Sequence, residues 1–220
     1  MKEEVKNGRY VDKYGTVRWY KDGVLHRLDG PAIIWKDGSK FWYKEGLLHR
    51  LDGPAVEYLN GHYEWYKDGE RHREDGPAVR NIEGTMYWYR EGHLHREDGP
   101  AIEYFTGTKY WFEDGLLHRE DGPACVYQHG NYVWYQEGLL HREDGPAIEW
   151  WNGTKEWYFK GQRHCSCGPA IDYGDGNLSW YLNGLQVTEH EVALLIAKKQ
   201  LNEKLESSLQ QSSLDKKLKI

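Results

Sequence analysis

The stretch W-Y-K-D-G-E-R-H-R-E-D-G-P-A, residues 65–78, decides the reading of this chain because it recurs. Histidine stands at 26, 49, 72, 95, 118, 141 and 164, always 23 residues apart. Tryptophan keeps the same ruler at 19, 42, 65, 88, 111, 134, 157 and 180, and all seven prolines lie on it from Pro31 to Pro169. No insertion interrupts the series. Phase-locked repeats in one chain imply a supersecondary unit stacked on copies of itself.

Between one motif and the next lie about nine variable residues around a turn signal. The series reads Tyr14-Gly15, Asp37-Gly38, Asn60-Gly61, Glu83-Gly84, Thr106-Gly107, His129-Gly130, Asn152-Gly153 and Asp175-Gly176. Asn-Gly and Asp-Gly signal a two-residue type I′ hairpin, in which both central residues need positive φ. Eight hairpins are therefore expected, from residues 10–20 through 171–181.

Such a loop at Asn60-Gly61 sets Glu57 opposite Glu64, Val56 opposite Trp65 and Ala55 opposite Tyr66. Alternation then gives one apolar face with Val56, Tyr58, Tyr63 and Trp65, and a tryptophan column buried along it. The other face carries Ala55, Glu57, Glu64 and Tyr66. Residues 67–77 read as a connection, with Pro77 marking a strand start. The expected class is all-β: an elongated array of about eight stacked hairpins with a C-terminal helix. Sixteen strands in one sheet would run roughly 75 Å at about 4.8 Å per strand.

The motif resembles the MORN repeat, which is also 23 residues long and hairpin-forming and reads roughly [YW]-x-[ND]-G-x-x-H-G-x-G. Residues 66–72, Y-K-D-G-E-R-H, match its first half. In the second half R-x-D-G-P-A replaces G-x-G, as in the MORN-like variant of bacterial, bacteriophage and giant-virus proteins. The resemblance covers about residues 10–184. It implies a scaffold, membrane-tethering or interaction protein, such as a phage- or bacterial-type inhibitor or adaptor.

Composition narrows the function classes. The 220 residues carry 29 Lys plus Arg against 35 Asp plus Glu, a net charge of −6. Mean hydropathy is −0.90, so a membrane-spanning segment is not expected, and no secretory signal is read at the start. Residues 1–187 hold 23 basic and 30 acidic residues, a net of −7 by difference. That balance argues against nucleic acid and against anionic membranes, both of which need a basic surface. Eleven Trp and 17 Tyr argue against disorder. Three cysteines make no disulfide framework, and a cytoplasmic setting is expected.

The His-Arg-x-Asp set, such as His95, Arg96 and Asp98, invites a catalytic reading. It occurs six times intact, however, and enzymes concentrate their chemistry in one pocket. We read the aspartate as tying down its loop by accepting hydrogen bonds. No catalytic residue, metal site or cofactor is expected. His164-Cys165-Ser166-Cys167 resembles a fragment of a zinc site but lacks a fourth ligand, and Cys125 replaces an apolar Val or Ile.

Recognition should use the columns that vary between repeats. The candidate partner-binding residues are Glu57, Glu64, Tyr66, Tyr87, Tyr89, Glu103, Tyr110, Glu149, Glu156 and Tyr158. Two like-charged cross-strand pairs, Glu57/Glu64 and Glu149/Glu156, weaken a hairpin unless water or a partner's cation relieves them. The expected partner is a protein with a basic surface, drawn in by the negative repeats. The alternative is a lipid or small-ligand module using the Trp-lined side.

After Gly184 the pattern stops. Thr188 and Glu191 form a capping box, and Leu194, Ala197, Leu201 and Leu205 lie at helical spacing. A helix over 188–206 is expected, as a cap on the last edge or as a dimerisation or docking helix, with 207–220 a flexible tail.

Overall fold

The hairpin at residues 56–64 fixes the architecture. The Gly61 N–H donates to the Tyr58 carbonyl, and the Tyr58 N–H to the His62 carbonyl. Gly61 has φ +87°, and Asn60 is absent from the positive-φ residues. The loop is therefore a type I turn closed by a left-handed glycine, three residues long instead of two. The Asn60 side chain serves it by accepting from the His62 N–H.

That extra residue corrects the expected register. Val56 faces Glu64 and Glu57 faces Tyr63. Because side chains alternate, a one-residue slip sends the whole returning strand to the other face. Glu64 joins Val56, and Trp65 joins the Glu57 side. Glu149 likewise faces Lys155, while Glu156 faces Ile148. Neither like-charged pair exists.

The two-residue turn with two positive φ values lies elsewhere, in the segment read as a connection. Asp68 (φ +50°) and Gly69 (φ +89°) form it. Tyr66–Lys67 pairs there with Glu70–Arg71 in a second, smaller hairpin. Each repeat thus supplies a ladder hairpin and a side hairpin, so the fold is an all-β repeat array richer in strands than sixteen.

The structure, a computed structural model, describes residues 6–217. The chain divides into two compact units, Met1–Gln128 and His129–Ile220. In the first, an antiparallel ladder runs Gly8–Val11, Val17–Lys21, Ile33–Ile34, Lys40–Phe41, Val56–Glu57, Tyr63–Glu64, Val79–Arg80, Met86–Tyr87, Ile102–Glu103, Lys109–Tyr110, Cys125–Val126. In the second, the ladder runs Tyr132–Val133, Ile148–Glu149, Lys155–Glu156, Ile171–Asp172, Leu178–Leu182, Leu185–Val187.

The core is thin and made of small columns. Ala32, Ala55, Ala78, Ala101, Ala124, Ala147 and Ala170 are fully buried, beside Ile33, Val56, Val79, Ile102, Cys125, Ile148 and Ile171. Each alanine sits where the ladder bends: the Trp65 N–H donates to the Ala78 carbonyl, and Trp42, Trp88 and Trp111 repeat the bond. The tryptophans themselves are half-buried, not buried. Burial pushes the Cys125 thiol up to about 12, as expected for a cysteine used as a small hydrophobe.

The histidine column staples neighbouring repeats. His26 Nδ1 accepts from the Glu45 N–H at 3.1 Å, His49 from Asp68, His72 from Glu91 and His95 from Asp114. The same bond recurs from His141 to Lys160 and from His164 to Asn183. Each donor is the non-glycine residue at positive φ. The bond offsets the roughly 1–2 kcal/mol that this conformation costs an L-residue.

The helix spans Glu189–Lys217 and so runs through most of the segment expected to be a tail. Its capping box is present: Glu191 Oε2 accepts from the Thr188 N–H, and Thr188 Oγ1 from the Glu191 N–H. Val192 is buried, but Leu194, Leu201 and Leu205 are exposed. The expected apolar stripe therefore does not pack on the sheet. No described helix is long and apolar enough to cross a membrane.

Candidate functional site

The loop that follows each side hairpin carries the densest polar cluster, and Arg96 organises it. Its guanidinium lies over the Trp88 ring, 4.2 Å from the centroid. Nε donates to Asp98 Oδ1 at 2.8 Å, and Nη1 to the Pro100 carbonyl and to Glu103 Oε1. Gly99 leaves room for the guanidinium: a Cβ there would sit 2.9 Å from Arg96 Cζ and displace it. The motif R-x-D-G-P is thus one device, a cation held over a tryptophan ring by a carboxylate and a carbonyl.

The device repeats. Arg27, Arg50, Arg73 and Arg119 cover Trp19, Trp42, Trp65 and Trp111 at 4.1–4.3 Å. Each donates Nε to the aspartate two residues on. In the second unit Arg142 does the same with Trp134 and Asp144. The hydrogen bond from arginine holds Asp29, Asp52, Asp75, Asp98, Asp121 and Asp144 below the ordinary carboxylate range.

The carboxylates nonetheless face water. Asp75 and Asp98 are 81% and 83% exposed, and Glu74 and Glu97 85% and 80%. Between consecutive loops lie grooves. One of about 560 Å³ is lined by Arg73, Glu74, Asp75, Trp88, Glu97 and Asp98. The next, about 510 Å³, is lined by Glu97, Asp98, Trp111, His118, Glu120 and Asp121. From Glu74 to Asp121 the first unit therefore carries a notched edge rich in exposed carboxylates, whereas the two earlier notches are lined by Leu28, Leu51, Lys44 and Lys67 as well as by aspartate.

The ten residues singled out from the sequence do not share a face. Glu57, Glu103 and Glu149 lie at the motif loops, bound to Arg50, Arg96 and Arg142 at 2.8–3.0 Å. The other seven lie across the sheet. Glu64 is buried, accepting from Tyr66 Oη and Arg71 Nε and paired with His62. Burial alone would raise its carboxyl, but these three partners hold it low. Glu156 accepts in the same way from Trp150, Tyr158 and Arg163. Tyr89 lies under Arg71, and Tyr87 and Tyr110 meet Tyr104 edge-to-face. These seven are occupied within the fold.

The carboxylates at the x position of H-R-x-D were not singled out. That column reads Leu28, Leu51, Glu74, Glu97, Glu120 and Glu143. Its variation was a legible signal beside the constant aspartate.

Among the described residues no group of three or more His, Cys, Asp and Glu side chains is placed to hold a metal ion. No protein-family model and no curated protein matches the chain.

Proposed function

We propose that the chain is a non-catalytic scaffold that binds a basic protein segment along the acidic edge of its motif loops. The observation that carries the reading is the internal commitment of the arginines. Each motif arginine is stacked on tryptophan and bound by aspartate, while Glu74, Asp75 and Asp98 point to solvent and Glu97, 80% exposed, pairs with Arg90 at the rim. The net charge of −6 favours fast encounter with a cationic partner. The MORN-like reading of the repeats agrees with this role, and its [ND]-G position matches the two-residue turn at Asp68-Gly69.

The period supports an extended partner. Two ladder strands per repeat place equivalent loops about 9.6 Å apart, and a polyproline II chain, with three residues per turn and a rise of about 3.1 Å per residue, sets every third side chain on one side. A lysine or arginine at every third position meets each loop in turn.

The test is fluorescence anisotropy with an extended peptide carrying lysine at every third position. The variant Glu74→Gln/Glu97→Gln/Glu120→Gln leaves the arginine clamps intact. It should weaken binding at least tenfold and flatten its salt dependence. Equal affinity in a folded triple variant overturns the reading.

A further inference from the structure

The seventh motif loop breaks the rule of the other six. At the positions of the arginine and the aspartate it carries Cys165 and Cys167. In the six intact loops these two side chains are joined, Nε to Oδ1, at 2.8–3.0 Å. In the seventh the two sulfurs meet at 3.2 Å. The backbone that presents them is the same. The Cys165 N–H donates to the Tyr181 carbonyl, as the Arg50 N–H does to Tyr66, and His164 Nδ1 accepts from Asn183.

We propose that Cys165 and Cys167 are a thiol modification site that closes reversibly to an intramolecular disulfide, a covalent replacement for the arginine–aspartate clamp. The sulfurs need to approach by about 1.2 Å to reach the bond length of about 2.05 Å. The loop has room for that movement. No guanidinium occupies it, and a Cβ on Gly168 would meet nothing within 4 Å.

The two thiols differ in a way that orders the steps. Cys167 is exposed and Cys165 is buried. Burial pushes the Cys165 thiol up to about 11. The oxidant is a low-molecular-weight disulfide. The Cys167 thiolate attacks one of its sulfurs, forming a mixed disulfide and expelling one thiolate. Cys165, once deprotonated, attacks Cys167 Sγ and expels the second thiolate. The two cysteine protons end on the two released thiols, so one external disulfide is reduced for each internal one formed. A bridge across one intervening residue is strained and so easily reduced, the mark of a regulatory bond.

The closed form restores a clamp to a repeat in which, among the described residues, no arginine covers Trp157. Closing it should slow local opening of the loop before the final hairpin, Leu178–Leu182 with Leu185–Val187.

The test uses the full chain with Cys125→Val, the residue other repeats carry there, at low protein concentration with oxidised glutathione. Intact mass should fall by two hydrogens, and no cysteine should then react with maleimide until a dithiol is added. Amide hydrogen exchange over residues 164–169 should slow at least tenfold on oxidation. The variant Cys165→Arg/Cys167→Asp, which restores the ion-pair clamp, should show that protection without oxidant. A stable glutathione adduct on Cys167, a covalent dimer, or a closed bridge with unchanged exchange overturns the proposal.

Discussion

The guanidinium plane of Arg96 covers one face of the Trp88 ring at 4.2 Å and is held there by Asp98, Pro100 and Glu103. A half-exposed tryptophan column becomes a structural element because six of its rings, Trp19 to Trp134, are each roofed by a cation that is itself anchored.

Arg96→Ala should lower stability by about 2 kcal/mol, since it removes a cation–π contact and three hydrogen bonds. Arg96→Lys should recover less than half, because an ammonium neither stacks nor forks. Trp88→Ala should cost about 3 kcal/mol. Denaturant titrations of the double-mutant cycle should give a coupling near 1 kcal/mol; strict additivity would mean that the stack contributes nothing.

Two glycines at equivalent positions should respond differently. Gly99→Ala forces the new Cβ against Arg96 Cζ and should cost about 1–3 kcal/mol, as overpacking does. Gly168→Ala meets open space and should be neutral or stabilising by up to about 1 kcal/mol. Thermal melts of the two variants check this directly.

Glu64→Gln should cost about 2 kcal/mol, because it weakens a buried network of His62, Tyr66 and Arg71. Glu57→Gln, at the exposed end of an ion pair, should change stability by less than about 0.5–1 kcal/mol. Equal costs would mean that the register places both on one face.

Burial first, and then the hydrogen bond to Glu64, push the Tyr66 hydroxyl from 10.0 up to about 12. A raised folded value favours the neutral phenol. The stability it contributes is complete below pH 10 and is lost as the pH climbs toward 12. Tyr66→Phe should flatten that alkaline decline in a series of denaturation curves.

The clamp aspartates behave in the opposite sense. Their folded values are lowered by arginine, so their stabilising effect holds at neutral pH. It is lost as pH falls below the ordinary aspartate value of 3.8. Asp75→Asn/Asp98→Asn should show a shallower acid transition than the parent.

The helix should be separable from the array's stability. Val192 is buried, whereas Leu201, Leu205 and Leu209 are exposed. Ending the chain at Lys198 should leave the melting temperature within about 2 °C, while Val192→Ala should lower stability by about 1–2 kcal/mol. A large loss on truncation would assign the distal leucines a packing role.

The features legible from residue order alone are periodic and local. The 23-residue ruler at Trp, His and Pro, the glycine-marked turns and the Thr188–Glu191 box are encoded in residue type and spacing, and each stands in the structure where the spacing puts it. The tertiary structure alone decided parity. Whether Asn60-Gly61 closes a loop of two or three residues is a choice between turns of similar cost, and it is made by how each hairpin bonds to the next. That one residue sends Glu64 into the core and Glu57 to the motif edge. It separates a set of acids and tyrosines that looks continuous in the sequence. The arginine roof was illegible for the same reason. Arg96 meets Trp88 only after the side hairpin folds back between them, and no local signal in H-R-E-D-G-P names the ring it will cover.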